Sequence, residues 1–281
     1  MYQKRVLAIH DISCFGRCSL TVALPIISAM GIETVALPTA ILSTHTGGFT
    51  GFTYRDLTCD IEPICKHWET LGLKFDVIYT GFLGSFEQID LVAKIFEKYK
   101  AMGTSIAVDP VMADNGKLYS IFNSDFPQGM KRLCEMADII MPNITEASLI
   151  LNEQYREGPY EESYIDDMLV KLSKLGPNKV VLTGVYHDET NLGARSYDKN
   201  TGVFSFSSKP RIEGYYHGTG DVFGSALVGA IAKGKSTEMA TQIAVDYTVG
   251  SIDRTFKAKT DIRFGVNFEE GIPELIKLCS V

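Results

Sequence analysis

Residues 76–110, DVIYTGFLGSFEQIDLVAKIFEKYKAMGTSIAVDP, read as one complete strand-helix-strand unit, and that reading decides the fold class. The runs 76–80 and 104–108 are short, apolar and rich in β-branched residues, and each stops where glycine or polar residues begin. Between them, Ser85 followed by Gln88 resembles a capping box. Ile89, Val92, Phe96 and Tyr99 then share one side of a helix that ends near Gly103. Strands this uniformly apolar suit a parallel sheet covered by helices on both faces.

The same rhythm extends outward in both directions. Runs at 5–9, 34–38, 138–141 and 179–183 bring the expected strands to about six, and Tyr164, Met168, Leu172 and Leu175 mark a helix stopped by Gly176-Pro177. Alternating strands and helices predict right-handed crossovers and an open sheet with its active groups beyond the strands' carboxyl ends. The stretch 194–209 departs from this pattern and reads as an edge hairpin, while apolar helices are expected from Gly220 onward and over 238–249. No repeat, low-complexity linker or composition break divides the chain, so one domain over 1–281 is expected.

Composition excludes several classes. With 45% hydrophobic and 22% charged residues the chain is an ordinary globular one, and its formal charge of -7 offers no basic field for nucleic acid. The N-terminal apolar run meets His10 and Asp11 too soon for a signal peptide, and no segment has about 18 uninterrupted apolar residues. A cytoplasmic protein without membrane partners is therefore expected. The six cysteines, at 14, 18, 59, 65, 134 and 279, show neither a secreted disulfide pattern nor zinc spacing.

The sharpest chemical signal is Gly218-Thr219-Gly220-Asp221 ahead of an apolar helix. Glycines let a ligand approach the backbone closely, and the first amides of the helix have no intrahelical partners, which makes them a cradle for phosphate oxygens. A carboxylate in that first turn can accept the proton of an alcohol while the amides hold a phosphoryl group in line with it. The plainer alternative is capping of the helix by Asp221 or Thr219. No GxxxxGK[ST], GxGxxG or GxSxG string occurs, which removes the best support for P-loop, dinucleotide and α/β-hydrolase readings.

Along nearly its whole length the chain resembles the ribokinase-like superfamily, and within it the pyridoxal/pyridoxamine kinase branch. The matching pieces, in order, are LAIHD, LSTHTGG at 42–48, YTGFLGS at 79–85, VDPVMAD at 108–114, MPNITEA at 141–147, VVLTG at 180–184 and HGTGDVF at 217–223. The resemblance implies a three-layer α/β/α sandwich acting as a homodimer, which phosphorylates the 5′-hydroxymethyl group of pyridoxal, pyridoxamine or pyridoxine with ATP and Mg2+. A K+ ion near the phosphates is also implied. On this likeness Asp221 is the catalytic base, and Gly218, Thr219 and Gly220 form the anion hole. Thr46 lies near the substrate ring, Asp109, Asn143 and Glu146 surround the phosphates and magnesium, and Thr183 lies on the nucleotide side. Asp109 and Glu146 are the metal-side carboxylates, as hard oxygen donors should be.

Three departures bear on the substrate. Asp11 stands where the family commonly has Ser, Arg17-Cys18-Ser19 replaces the usual second glycine of that loop, and Phe82 stands where Tyr is frequent. An Asp can pair with a protonated ring nitrogen or an amine but is costly beside an uncharged ring. His45, between two threonines, is a further substrate-side candidate, with a structural hydrogen bond as its alternative. Two other functions fit the same residues: a hydroxymethylpyrimidine kinase of thiamin metabolism, sharing the phosphate apparatus, and a non-catalytic metabolite-binding protein that keeps the fold.

Overall fold

A computed structural model describes residues 2–280. Its frame is a nine-stranded sheet in the order β11-β10-β9-β8-β5-β4-β1-β2-β3. The six runs expected from sequence are its parallel centre: β1 (Arg5–Phe15), β2 (Glu33–Thr44), β4 (Val77–Thr80), β5 (Ser105–Val108), β8 (Ile139–Ile140) and β9 (Lys179–Val185). The edge hairpin is β10 (Asn191–Asp198) with β11 (Val203–Pro210), antiparallel to each other and to β9. On the other edge β3 (Tyr54–Asp56) runs antiparallel to β2.

Helices cover both faces, giving a ribokinase-like α/β/α sandwich. Leu7, Ile9, Ile78, Ile106, Val108, Val180 and Leu182 point to one face and join a core with the helices α2 (Thr58–Thr70), α3 (Phe86–Lys100), α4 (Phe126–Met136), α5 (Ile144–Leu151) and α6 (Glu162–Ser173). Val6, Ala8, Val77, Tyr79, Ala107 and Val181 point to the other. There they meet α1 (Leu20–Ala29), α7 (Thr219–Ala232), α8 (Thr237–Ala258) and α9 (Ile272–Ser280). Two-sided burial accounts for the unbroken apolar runs.

Several elements differ from their sequence expectation. The capping box at Ser85 is only half made: Ser85 Oγ accepts from the Gln88 amide at 3.2 Å, but the Gln88 side chain accepts from the Gly84 amide and donates to the Thr39 carbonyl. Gln88 therefore anchors α3 to β2 instead of closing the box. The first strand does not stop at Ile9; after a register shift between His10 and Ile12 it runs on to Phe15 and carries Asp11 past the sheet centre. Helix α8 is longer than expected, reaching Ala258. The small hairpin of β6 (Ala113–Asp114) and β7 (Lys117–Leu118) was not anticipated, although its Asn115-Gly116 turn, with φ of 50° and 74°, is the turn such hairpins favour.

Helix α7 lies close to the sheet because its sheet-facing residues are small. A Cβ on Gly224 would stand 2.2 Å from Tyr79 Oη. Gly224→Ala is expected to lower stability by about 1–3 kcal/mol through overpacking. A urea titration should show the midpoint falling at constant slope, and an unchanged midpoint would contradict this packing.

Candidate active site

The chain leaves β1 on one side of the sheet for β2 and later returns on the other side through β4, so the strand order reverses between β1 and β4. Beyond the carboxyl ends of the strands lies a cavity of about 780 Å³, within the usual range for small-molecule sites. All the residues singled out from sequence line it: Asp11, His45, Thr46, Phe82, Asp109, Asn143, Glu146, Thr183, Gly218, Thr219, Gly220 and Asp221.

The floor is the start of α7. Gly218 takes a left-handed conformation, φ 73°, and a Cβ there would lie 2.0 Å from the Arg17 carbonyl oxygen, so only glycine fits. No side chain caps the helix. Thr219 Oγ1 donates to the Tyr216 carbonyl at 3.2 Å, and the first helical amide bond is that from Val222 to the Gly218 carbonyl. The capping alternative for Thr219 and Asp221 is therefore not realised. A Cβ on Gly220 would meet open space, which leaves the amides of this turn approachable from the cavity.

The Asp221 carboxyl sits at this floor, and burial pushes its pKa up to about 7. The Ser19 backbone amide draws it back down, while Asp11 raises it further. Asp109, at the end of β5, is held well above the ordinary carboxylate range by burial and by repulsion from Glu146 and Asp221. Three carboxyl groups thus converge on one floor without a lysine or arginine among the lining residues except Arg211 at the rim. Excess negative potential of this kind is what a hard cation neutralises.

Asn143 and Glu146 have a structural task that sequence reading did not identify. Asn143 Oδ1 accepts from the Glu146 amide and Glu146 Oε2 from the Asn143 amide, both at 2.9 Å, which is a complete capping box on α5. Asn143 Nδ2 also donates to the Ala113 carbonyl at 2.8 Å, and Glu146 Oε1 accepts from the Met112 amide at 3.1 Å. The pair ties the loop after Asp109 to α5, and burial lifts Glu146 to about 8. The signal was present in the Asn-x-x-Glu spacing itself. Thr183 sits beside this box, its amide bonded to the Pro142 carbonyl.

At the opposite end Asp11 is buried, accepting from Ser19 Oγ at 2.5 Å and Ser13 Oγ at 3.2 Å, and burial raises its pKa. His45 accepts at Nδ1 from the Gly47 amide, so Nε2 carries the hydrogen and donates to the Arg263 carbonyl at 2.6 Å. Its ring is a neutral, fully engaged imidazole that still presents its face to the cavity. Phe82 packs against Phe122, Thr46 is exposed at the mouth, and Cys18 is part of the buried lining while Cys14 is exposed outside it. Arg17 is not a free surface cation, since it pairs with Glu269 at 2.6 Å. Sequence reading passed over Ser19, His217, whose ring lies 5.2 Å from that of His45, and Tyr215, whose hydroxyl reaches Asp114 at 2.6 Å across the rim.

Comparison with known proteins agrees with this architecture. The family model described as phosphomethylpyrimidine kinase matches residues 24–264. A putative phosphomethylpyrimidine kinase from Bacteroides thetaiotaomicron superposes with a TM-score of 0.94 at 36% identity, covering 98% of this chain and 96% of that one. A second crystal form of that kinase, with pyridoxal, gives a TM-score of 0.92. Pyridoxal kinase from Lactobacillus plantarum follows at 0.89 and 28% identity, covering 99% of this chain and 98% of that one. Among curated relatives, a putative hydroxymethylpyrimidine/phosphomethylpyrimidine kinase of Schizosaccharomyces pombe is 28% identical over 88% of this chain, which spans only 46% of that protein's length. Pyridoxal kinase of Dictyostelium discoideum is 26% identical over 92% of this chain and 89% of its own.

The raised pKa of Asp221 makes a prediction about stability. The unfolded carboxyl loses its proton near its ordinary value of 3.8, whereas the folded one keeps it to about 7. Between these values the folded state binds the extra proton, so this group's contribution to stability declines as pH rises through that window and is then constant. Asp221→Asn should therefore melt about 3 °C or more above the parent at pH 8, with the gap closing toward pH 4. Scanning calorimetry across pH checks it, and a gap independent of pH would contradict the buried carboxylate.

Proposed function

Because the chain belongs to the phosphomethylpyrimidine kinase family of ribokinase-like kinases, we propose that it transfers the γ-phosphoryl group of ATP to the hydroxymethyl group of an aminated nitrogen heteroaromatic ring, with hydroxymethylpyrimidine as the first candidate. The observation that carries this reading is the opening turn of α7, where an uncapped row of amides and the Asp221 carboxyl face the same cavity. The alcohol lies between Asp221 and the terminal phosphate. As its oxygen bonds to phosphorus, the proton passes to the Asp221 carboxylate and the bond to ADP breaks. The amides of residues 219–221 receive the charge that develops on the phosphoryl oxygens. A base whose pKa is near 7 is partly ionised at neutral pH and a stronger proton acceptor than an ordinary aspartate.

Members of this fold work with magnesium ATP, and the donor set here is consistent with that. Among the described residues no three His, Cys, Asp or Glu side chains form a cage able to hold a metal by themselves. Asp109 and Glu146 would hold magnesium through water beside the phosphates, as this ion prefers, and its charge would offset that of the transferred group. A potassium ion is a further cation that this acidic floor would accept. Thr183 and the β9 end would border the nucleotide, while Asp11, His45, Thr46 and Phe82 would border the ring. The reading includes one kinase domain over 1–281 and a homodimer.

Asp11 supports an aminopyrimidine over pyridoxal. An aminopyrimidine edge offers an N–H donor next to a ring nitrogen, and a carboxyl group can meet it with two hydrogen bonds when either the carboxyl or the ring nitrogen carries the proton. The aldehyde and the ionised phenolic oxygen of pyridoxal would bring only lone pairs toward the same acceptor. The second reading, a pyridoxal kinase, is favoured by the crystal form of the Bacteroides thetaiotaomicron relative that contains pyridoxal. The third, a metabolite binder without catalysis, leaves the uncapped amides beside Asp221 without a use.

ADP release measured with hydroxymethylpyrimidine, pyridoxal, pyridoxamine and pyridoxine separates the readings. Turnover is expected with the highest kcat/KM on the pyrimidine; pyridoxal ahead of it would favour the second reading, and binding without turnover of any the third. Asp221→Asn should lower kcat by roughly 10²-fold or more with little change in ATP binding. A folded variant with near-normal turnover rejects the proposed base.

A further inference from the structure

Ser19 stands in a conformation that a serine rarely adopts. Its φ of 56° and ψ of -131° lie in a region that ordinarily belongs to glycine. The surrounding structure holds it there from several sides. Ile12 and Ser19 form an antiparallel bridge, so the end of β1 doubles back on itself through Gly16, Arg17 and Cys18. The Arg17 amide donates to the Phe264 carbonyl at 3.0 Å, its side chain pairs with Glu269, and its carbonyl is pressed against Gly218 at the start of α7. The Ser19 carbonyl then accepts the amides of Val22 and Ala23 at the start of α1.

Such an anchored turn would run equally well with a glycine at position 19, and with less strain. What the side chain adds is a single short contact, from Ser19 Oγ to Asp11 Oδ1 at 2.5 Å. Asp11 is 5% exposed and lines the cavity, so its direction is set by the donors around it. Ser13, the other donor, is more distant at 3.2 Å and grips Oδ2. Between them the two hydroxyls leave one lone pair on each carboxyl oxygen for a ligand. The geometry points to Ser19 as the positioning residue for ring recognition: it accepts a glycine's backbone conformation so that its hydroxyl can aim the Asp11 carboxyl at the nitrogen-bearing edge of the substrate. This rests on the kinase reading above for the identity of the ring, but the contact itself can be tested without turnover.

Ser19→Gly removes the hydroxyl, keeps the amide and relieves the backbone, whereas Ser19→Ala removes the hydroxyl and keeps the strain. Both are expected to weaken binding of 4-amino-2-methylpyrimidine, which lacks the reacting alcohol, by about 5–10-fold in calorimetry, the loss of one hydrogen-bonded orientation. In turnover the KM of the ring alcohol should rise by the same factor while kcat stays within about 2-fold. The glycine variant should melt at or above the parent temperature, so lost recognition cannot be ascribed to misfolding. Unchanged affinity and KM in Ser19→Gly overturn the assignment, as does a fall in kcat together with a lowered melting temperature. Failure of the parent to bind the aminopyrimidine also overturns it. Absence of turnover with every ring alcohol, while the aminopyrimidine still binds in a Ser19-dependent way, overturns the kinase reading instead and leaves Ser19 in its role.

Discussion

The site depends on one close approach, that of the Arg17 carbonyl to the backbone of Gly218. With the Cβ position of Gly218 only 2.0 Å from that oxygen, the turn after β1 and the start of α7 are in direct contact, and a left-handed glycine is the residue that permits it. This contact places Asp221 within reach of the Ser19 amide and brings Asp11 into the same cavity. Without it, the Asp11 end and the α7 end of the cavity would belong to separate walls.

The same arrangement concentrates carboxyl groups. Asp11, Asp109, Glu146 and Asp221 all have their protonated forms favoured by burial, and Asp109 and Asp221 are raised further by neighbouring carboxylates. A fold selected for stability alone would replace such groups with apolar ones of similar size. Their cost makes sense in the proposed kinase site, which would receive cations with its phosphates and move a proton.

Much of the fold was legible because the sheet is buried on both faces. Stretches such as 106–108 and 180–182 have no polar residue to blur them, and they lie in the parallel centre of the sheet. The floor of the cavity was also visible, since Gly-x-Gly-Asp before an apolar helix singled out the turn that lines it. What escaped was set by contacts distant in sequence. The extension of β1 to Phe15 depends on pairing with β2 beyond a register shift, and nothing local in Ile12–Phe15 announces it. Gln88 looked like half of a local box and instead reaches Thr39 on a neighbouring strand. Ser19 was noted only as a missing glycine, because its partner lies eight residues back and its backbone angle is imposed by α1 and the 264–269 segment.

The capping box of Asn143 and Glu146 has a consequence for how this wall of the cavity tolerates change. One carboxylate fastens both the first turn of α5 and the loop leading from Asp109 into the small hairpin, through the amides of Asn143 and Met112. Helix register and loop position are therefore a single mechanical joint. Replacing Glu146 would loosen the hinge and the rim together, so few other side chains at this position are compatible with an intact mouth.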